Sequence, residues 1–299
     1  MDKEVLSKTP SLYASVTAKI IAAIEAGAGE FVLPWHRSSG AITRPANAAT
    51  GAAYRGVNVV ARWAEAMLSE FPSGHWGTYR QWASIGAQVR KGEHGAVVVY
   101  YGRHDRRASD GDEEGEATAR RGVVARASYV FNAVQVEGWR PPEPPTVRPV
   151  SMAEPAETVI IASGADIRFG CDAAFYDPRR DRICVPARQA FVGSATSTAD
   201  EAYYATLLHE LVHWSGAEPR LARPFGPFGS QEYAREELVA ELGAAFLCSD
   251  LCVANEPRAD HAAYLATWLE ILRHDQRAIF KAARLAELAV TFLQGLANT

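Results

Sequence analysis

Apolar residues recur at helical spacing over about residues 12–26 and 57–68, which predicts two amphipathic helices in the first third of the chain. A short helix is expected over about 78–85. Two apolar runs rich in Val and Tyr, 96–101 and 123–136, then read as strands. Between them, residues 104–122 are polar, Gly-containing and highly charged, as a tip joining two strands would be. Further on the period is helical again. Thr198-Ala199-Asp200-Glu201 has the form of a capping box, its acids suit a helix N-terminus, and Gly216 offers a left-handed stop. A second helix passes through Glu236 to Cys248. On its wheel Leu238, Val239, Leu242, Ala245 and Phe246 share one broad apolar arc. Glu237 and Glu241 share another arc, whose other occupants, Ala244 and Cys248, are small and uncharged. The expected fold is α+β, with an α+β N-terminal domain and a mainly helical C-terminal one.

The helix between Thr198 and Gly216 contains His209-Glu210-Leu211-Val212-His213. Spacing of i and i+4 puts both imidazoles on one face, able to grip a single Zn²⁺. Glu210 stands beside them as general base for water activated there. Neighbours such as Leu207, Leu208, Leu211 and Trp214 place the pair in a packed layer, where ligands are held still. A carboxylate facing small apolar neighbours is costly unless it is paired or binds a metal. Glu237 and Glu241 are therefore candidates for the third ligand and for the outer carboxylate that orients a ligand His.

Composition divides the chain. Of 299 residues, 48% are hydrophobic and seven are Trp, which excludes a disordered chain. Pro141-Pro142-Glu143-Pro144-Pro145, followed by Pro149 and Pro155, reads as a stiff linker. The expected domains are 1–140 and 158–299, each with its own core, joined by linker 141–157. Residues 1–140 carry 17 Lys and Arg against 14 Asp and Glu, a net of +3, and residues 141–299 carry 14 against 21, a net of −7. A net of −7 over the second half is too mild for a DNA mimic. The four Cys lack zinc-knuckle spacing, no signal peptide is recognised, and no apolar run reaches the roughly 18 residues that span a bilayer. A reducing cytoplasm is the expected compartment. Cys248 and Cys252 read as small buried side chains.

In the basic half, aromatic and cationic residues interleave: Tyr54-Arg55 and Asn58, then Trp76, Tyr79-Arg80, Trp82 and Arg90-Lys91. Flat rings stack unpaired bases and cations follow phosphates, so this pattern suits single-stranded DNA or RNA better than a duplex.

Several segments together resemble the ArdC-type antirestriction proteins of conjugative plasmids. In the first half they are Pro34-Trp35, Tyr54-Arg55-Gly56-Val57-Asn58, the run from Gly86 to Gly95, and Tyr129-Val130-Phe131-Asn132. In the second they are His209 to Gly216, Tyr233 to Gly243, and His261-Ala262-Ala263-Tyr264-Leu265. The resemblance implies an N-terminal single-stranded-DNA-binding domain, a C-terminal zincin-like metallopeptidase domain, and shielding of incoming plasmid DNA from host restriction during conjugation. By analogy with zincins that draw a Glu from a second helix, it implies Glu237 as the ligand and Glu241 as its outer partner, roles that exchange without conflict with the wheel. Tyr233, Tyr264 and Arg220 are candidate donors to an oxyanion, although packing or pairing explains each of them as well. Three functions follow: a DNA-directed metalloprotease, a DNA-coating protector whose zinc domain is a scaffold, or a decoy that contacts host proteins through its acidic half. A host protein is the substrate that the first requires.

Overall fold

A computed structural model of the chain describes residues 11–28, 33–36, 43–104, 122–141, 154–194, 197–254 and 262–298. Most of the charged tip and of the Pro-rich stretch lies outside them. Helix α1, Leu12–Gly27, starts where the Ser11 hydroxyl accepts from the Ala14 N–H at 3.1 Å. Helix α2 is Val57–Leu68, and α3, Tyr79–Ser84, opens on a reciprocal capping box between Thr78 and Gln81. All three lie where the apolar spacing predicts.

A four-stranded sheet runs in the order β1 (Ala46–Asn47), β2 (His75–Gly77), β5 (Gly122–Asn132), β4 (Ala96–His104). Strands β4 and β5 form a long antiparallel hairpin in which Val97 faces Tyr129 and Val99 faces Ala127. Strand β5 ends at Asn132 and does not continue to residue 136 as expected. The Asn132 side chain accepts from the Val134 N–H at 3.1 Å and starts a single 3₁₀ turn, Ala133–Gln135. The chain then turns into β6 (Val136–Glu137), which pairs with β3 (Gln88–Val89).

The second half begins with α4, Glu154–Ser163. A small sheet follows in the order β7 (Asp166–Phe169), β9 (Arg182–Val185), β8 (Phe175–Asp177), which leaves β8 at an edge. Four helices complete the chain: α5 (Ala199–Ser215), α6 (Gln231–Leu251), α7 (Ala262–His274) and α8 (Ala278–Ala297). The α+β class and the helical second half are as expected.

Separate cores are not what the structure shows. Ile20 and Ile24 of α1 and Val59, Val60 and Trp63 of α2 share one buried cluster with Phe246 of α6, Leu272 of α7 and Ala283 and Leu293 of α8. The Trp63 and Phe246 rings lie 5.7 Å apart, and the Arg44 guanidinium covers the latter at 5.0 Å. Arg44 also pairs with Asp250 at 2.7 Å and with Glu287. The reason is geometric. Helix α2 packs on β4 with one side and on α8 with another, so the small first half cannot cover its own helices.

Helices α5 and α6 are pressed together. A Cβ on Gly243 would lie 2.8 Å from Val212 Cγ1, so only glycine permits this approach. Gly216 does cap α5, but at φ −80° and ψ −12°, not in the left-handed region expected. Its smallness serves a different end: a Cβ there would stand 2.7 Å from the Arg223 guanidinium. Among the described residues no helix is long and apolar enough to cross a membrane. All four cysteines are free thiols; Cys248 is buried as expected, but Cys252 is exposed, because it closes α6 in the left-handed conformation at φ 59°.

Candidate functional site

The Thr198 cap sets the phase of α5 and turns His209 and His213 toward α6, their rings 4.9 Å apart. Glu237, in the second turn of α6, meets both. Its Oε2 lies 3.6 Å from His209 Nε2 and its Oε1 lies 3.4 Å from His213 Nε2. Taking one ligand atom from each residue, the three donors lie within 4.8 Å of one another, close enough to converge on a single ion of the kind that imidazole and carboxylate donors bind. All three side chains are buried, and among the described residues they form the one His, Cys, Asp or Glu group that converges in this way.

Each imidazole has a carboxylate behind it. Glu241 Oε2 is 3.8 Å from His209 Nδ1, and Glu236 Oε1 is 3.2 Å from His213 Nδ1. Glu237 and Glu241 thus occupy the two positions that the helix wheel left interchangeable, with Glu237 inside. Glu236 is the partner that the wheel missed. The Arg223 guanidinium grips it from behind: Nε donates to Oε2 at 3.0 Å and an Nη donates to Oε1 at 2.7 Å. Arg223 also donates to Ser215 Oγ at 3.0 Å and to the Val212 carbonyl, tying the carboxylate to the end of α5.

Buried charges explain the proton affinities. Burial alone would depress His213, but hydrogen bonds to Glu236 and Glu237 carry it up to about 10. Burial would raise Glu236 and Glu237, yet His213 and Arg223 hold the first, and His209 and His213 the second, below the usual carboxylate range. Two imidazoles among three buried carboxylates call for positive charge, which protons or a metal cation can supply. Tyr233 shifts the other way. Burial and the neighbouring Glu237 push its phenol up, so it keeps its proton and can donate.

The trio opens into a cleft of about 470 Å³ that is lined by Glu210, Phe175, Tyr176, Phe225, Phe228, Tyr233 and Tyr264 among others. Glu210 therefore faces the same space as His209, His213 and Glu237. Arg220 does not. Its guanidinium stacks 3.9 Å from the Trp214 ring centre and bonds to Asp181, the Tyr176 hydroxyl and the Trp214 carbonyl, a structural role.

The residues expected to touch nucleic acid separate into two groups. Trp76 and Trp82 are 1% and 0% exposed, so neither can stack a base. The Trp82 indole donates to the Phe131 carbonyl at 3.0 Å, and the Arg62 guanidinium covers Trp76 at 5.1 Å. Asn58 pairs with both backbone groups of Val99, at 2.6 and 2.8 Å, and Tyr54 is half-buried between core clusters. These four belong to the scaffold. Arg55, Tyr79, Arg80, Arg90 and Lys91 are exposed. Tyr79, Arg90 and Lys91 line an open groove of about 530 Å³ with Gln88, Phe131 and Glu137, whereas Arg55 sits elsewhere, 3.8 Å from Glu287. Tyr129 is 60% exposed and close to Phe131 around Gly95. Sequence reasoning overlooked it, though its place two residues from Phe131 in an apolar strand was a signal.

The description of the N-terminal domain of the anti-restriction factor ArdC matches residues 10–131, and that of a zincin-like metallopeptidase matches residues 154–285. The metal-free crystal structure of the antirestriction protein ArdC from plasmid R388 is similar over nearly its whole length. It has a TM-score of 0.76 and 37% identity, covering 97% of this chain and 98% of that one. The chain belongs to the ArdC antirestriction family. The Mn(II)-bound structure of that plasmid protein matches with a TM-score of 0.75 and 35% identity, over 96% of this chain and 98% of that one. An uncharacterised protein of Sinorhizobium fredii is 48% identical over 285 residues, 94% of this chain and 91% of its own. The ArdC-like unit also occurs within larger proteins. An Escherichia coli DNA primase TraC is 35% identical over 91% of this chain, which spans 19% of the primase.

Proposed function

We propose that this ArdC-family chain is an antirestriction protein that binds single-stranded DNA through residues 1–140 and hydrolyses peptide bonds at a zinc centre in residues 158–299, with 141–157 as the connection. It acts in the cytoplasm on DNA entering by conjugation. The observation that carries the enzymatic part is the convergence of His209, His213 and Glu237 in a cleft that Glu210 also faces.

His209 and His213 through Nε2, and Glu237 through its carboxylate, would hold the ion. When bound there, zinc acidifies water and polarises a carbonyl. Glu210 accepts a proton from the attacking water and returns it to the leaving amine. Glu236 and Glu241 keep the two imidazoles turned toward Glu237. The protonated Tyr233 phenol donates to negative charge developing on the substrate oxygen. The test is to incubate the full chain with Zn²⁺ and an unfolded reporter protein, with and without a single-stranded oligonucleotide. Cleavage that chelation abolishes is expected. An intact reporter in a zinc-loaded, DNA-binding preparation would leave protection of the DNA as the function and the zinc domain as its scaffold.

The DNA part rests on the open groove lined by Tyr79, Arg90 and Lys91 together with Phe131, and on the exposed Tyr129 ring two residues before Phe131. Tyr79→Ala is expected to weaken oligonucleotide binding by about 1–3 kcal/mol, with affinity falling steeply as salt rises. Fluorescence anisotropy reads both, and salt-insensitive binding or an unaffected variant would remove this surface from consideration.

A further inference from the structure

The outer carboxylate of His209 is held from the other half of the chain. Glu241 is 1% exposed, and its Oε1 receives two hydrogen bonds from residues more than two hundred positions away. The Trp35 indole N–H donates at 3.0 Å and His36 Nε2 lies at 2.7 Å. The Leu33 N–H donates to His36 Nδ1 at 3.1 Å, which leaves Nε2 as the nitrogen that carries the proton toward Glu241. Trp35 and His36 are themselves buried, and their rings meet edge to face. With Oε1 held by two donors, Oε2 is the oxygen on the His209 side, 3.8 Å from Nδ1, an ion-pair distance rather than a hydrogen bond.

We infer that Trp35 and His36 are positioning residues of the metal centre: they fix Glu241, Glu241 fixes the His209 ring, and the first half of the chain thereby sets how tightly the second half holds its ion. The inference rests on the reading of His209, His213 and Glu237 as ligands. The physical basis is twofold. A buried carboxylate must be compensated, and here two N–H donors do so without neutralising it. A carboxylate kept ionised behind an imidazole raises the basicity of the nitrogen that faces the metal, and loss of such a partner typically weakens metal binding by about 10- to 100-fold.

The experiment measures Zn²⁺ affinity of the full chain by competition with a chelating dye, and records the visible absorption of the Co²⁺ form. His36→Ala is expected to bind Zn²⁺ about 10- to 100-fold more weakly than the natural chain, with an altered Co²⁺ spectrum. His36→Gln, whose amide offers a donor to Glu241, should recover most of the affinity. Trp35→Phe, which keeps a ring but removes the N–H, should show a smaller loss and guards against a His36→Ala that does not fold. Natural affinity in both Trp35→Phe and His36→Ala, or a loss that His36→Gln fails to rescue, overturns the inference. His209→Ala is the control for the reading beneath it. If the natural chain and His209→Ala bind Zn²⁺ alike, the metal centre itself is misassigned and the role of Trp35 and His36 falls with it.

Discussion

Glu210→Gln is expected to reduce peptide hydrolysis by about 10²- to 10⁴-fold, the usual contribution of a positioned general base, while Zn²⁺ and single-stranded DNA still bind. The substitution is nearly isosteric and removes only the capacity to take a proton. His209, His213 and Glu237 lie together on the wall of the cleft, and Glu236, Glu237 and Glu241 stand against the two imidazoles. The measurement pairs reporter cleavage with metal content and oligonucleotide binding on one preparation. Cleavage at the natural rate would show that another group moves the proton. Protection of plasmid DNA in cells adds a second discrimination. If Glu210→Gln protects as well as the natural chain, coating of the DNA is the protective act and hydrolysis is separate from it.

Arg223→Ala should cost about 3–5 kcal/mol of folding stability, because it removes the cation that grips the buried Glu236 and leaves that carboxylate only His213 among the contacts described. Arg223 is 6% exposed and Glu236 4%, so water cannot replace the guanidinium. The same side chain bonds to Ser215 and Val212, so its removal also loosens the end of α5 next to His213. Urea unfolding of the full chain reads the effect. A loss below about 1 kcal/mol, the range of an exposed pair, would mean that Glu236 is solvated or protonated in solution. Arg223→Ala combined with Glu236→Gln should then be less damaging than Arg223→Ala alone, since no charge is left behind.

Local signals read well in this sequence. The Thr198 and Glu201 box starts α5 where expected, α2 has its expected bounds, and the i, i+4 histidines converge with Glu237, one of the two carboxylates that the wheel offered. These features depend on residues within one or two helical turns of each other. What stayed hidden is non-local. Trp76 and Trp82 look from the sequence like a base-stacking series, because aromatic and basic residues alternate equally well in a core lined by Arg62 and on a surface. Only burial distinguishes the two cases. Gly216 carries the residue type of a left-handed stop, but the demand on it comes from Arg223 packing against it. Glu236 points away from the Glu237 arc on the wheel and acquires its role only because α5 lies against that side of α6. Nothing near Trp35 or His36 in the sequence hints at Glu241.

The shared core has a consequence for the order in which the molecule is made. Domains generally fold as units while the chain is synthesised, the first-made part leading. Here α1 and α2 are made before α6, α7 and α8, the helices whose residues share a buried cluster with Ile20, Ile24 and Trp63. Trp35 and His36 wait still more specifically, for a single carboxylate at position 241. The earlier half therefore stays incomplete until α6, α7 and α8 have been made, and Glu241 is fixed only once segments separated by 206 and 205 positions have met.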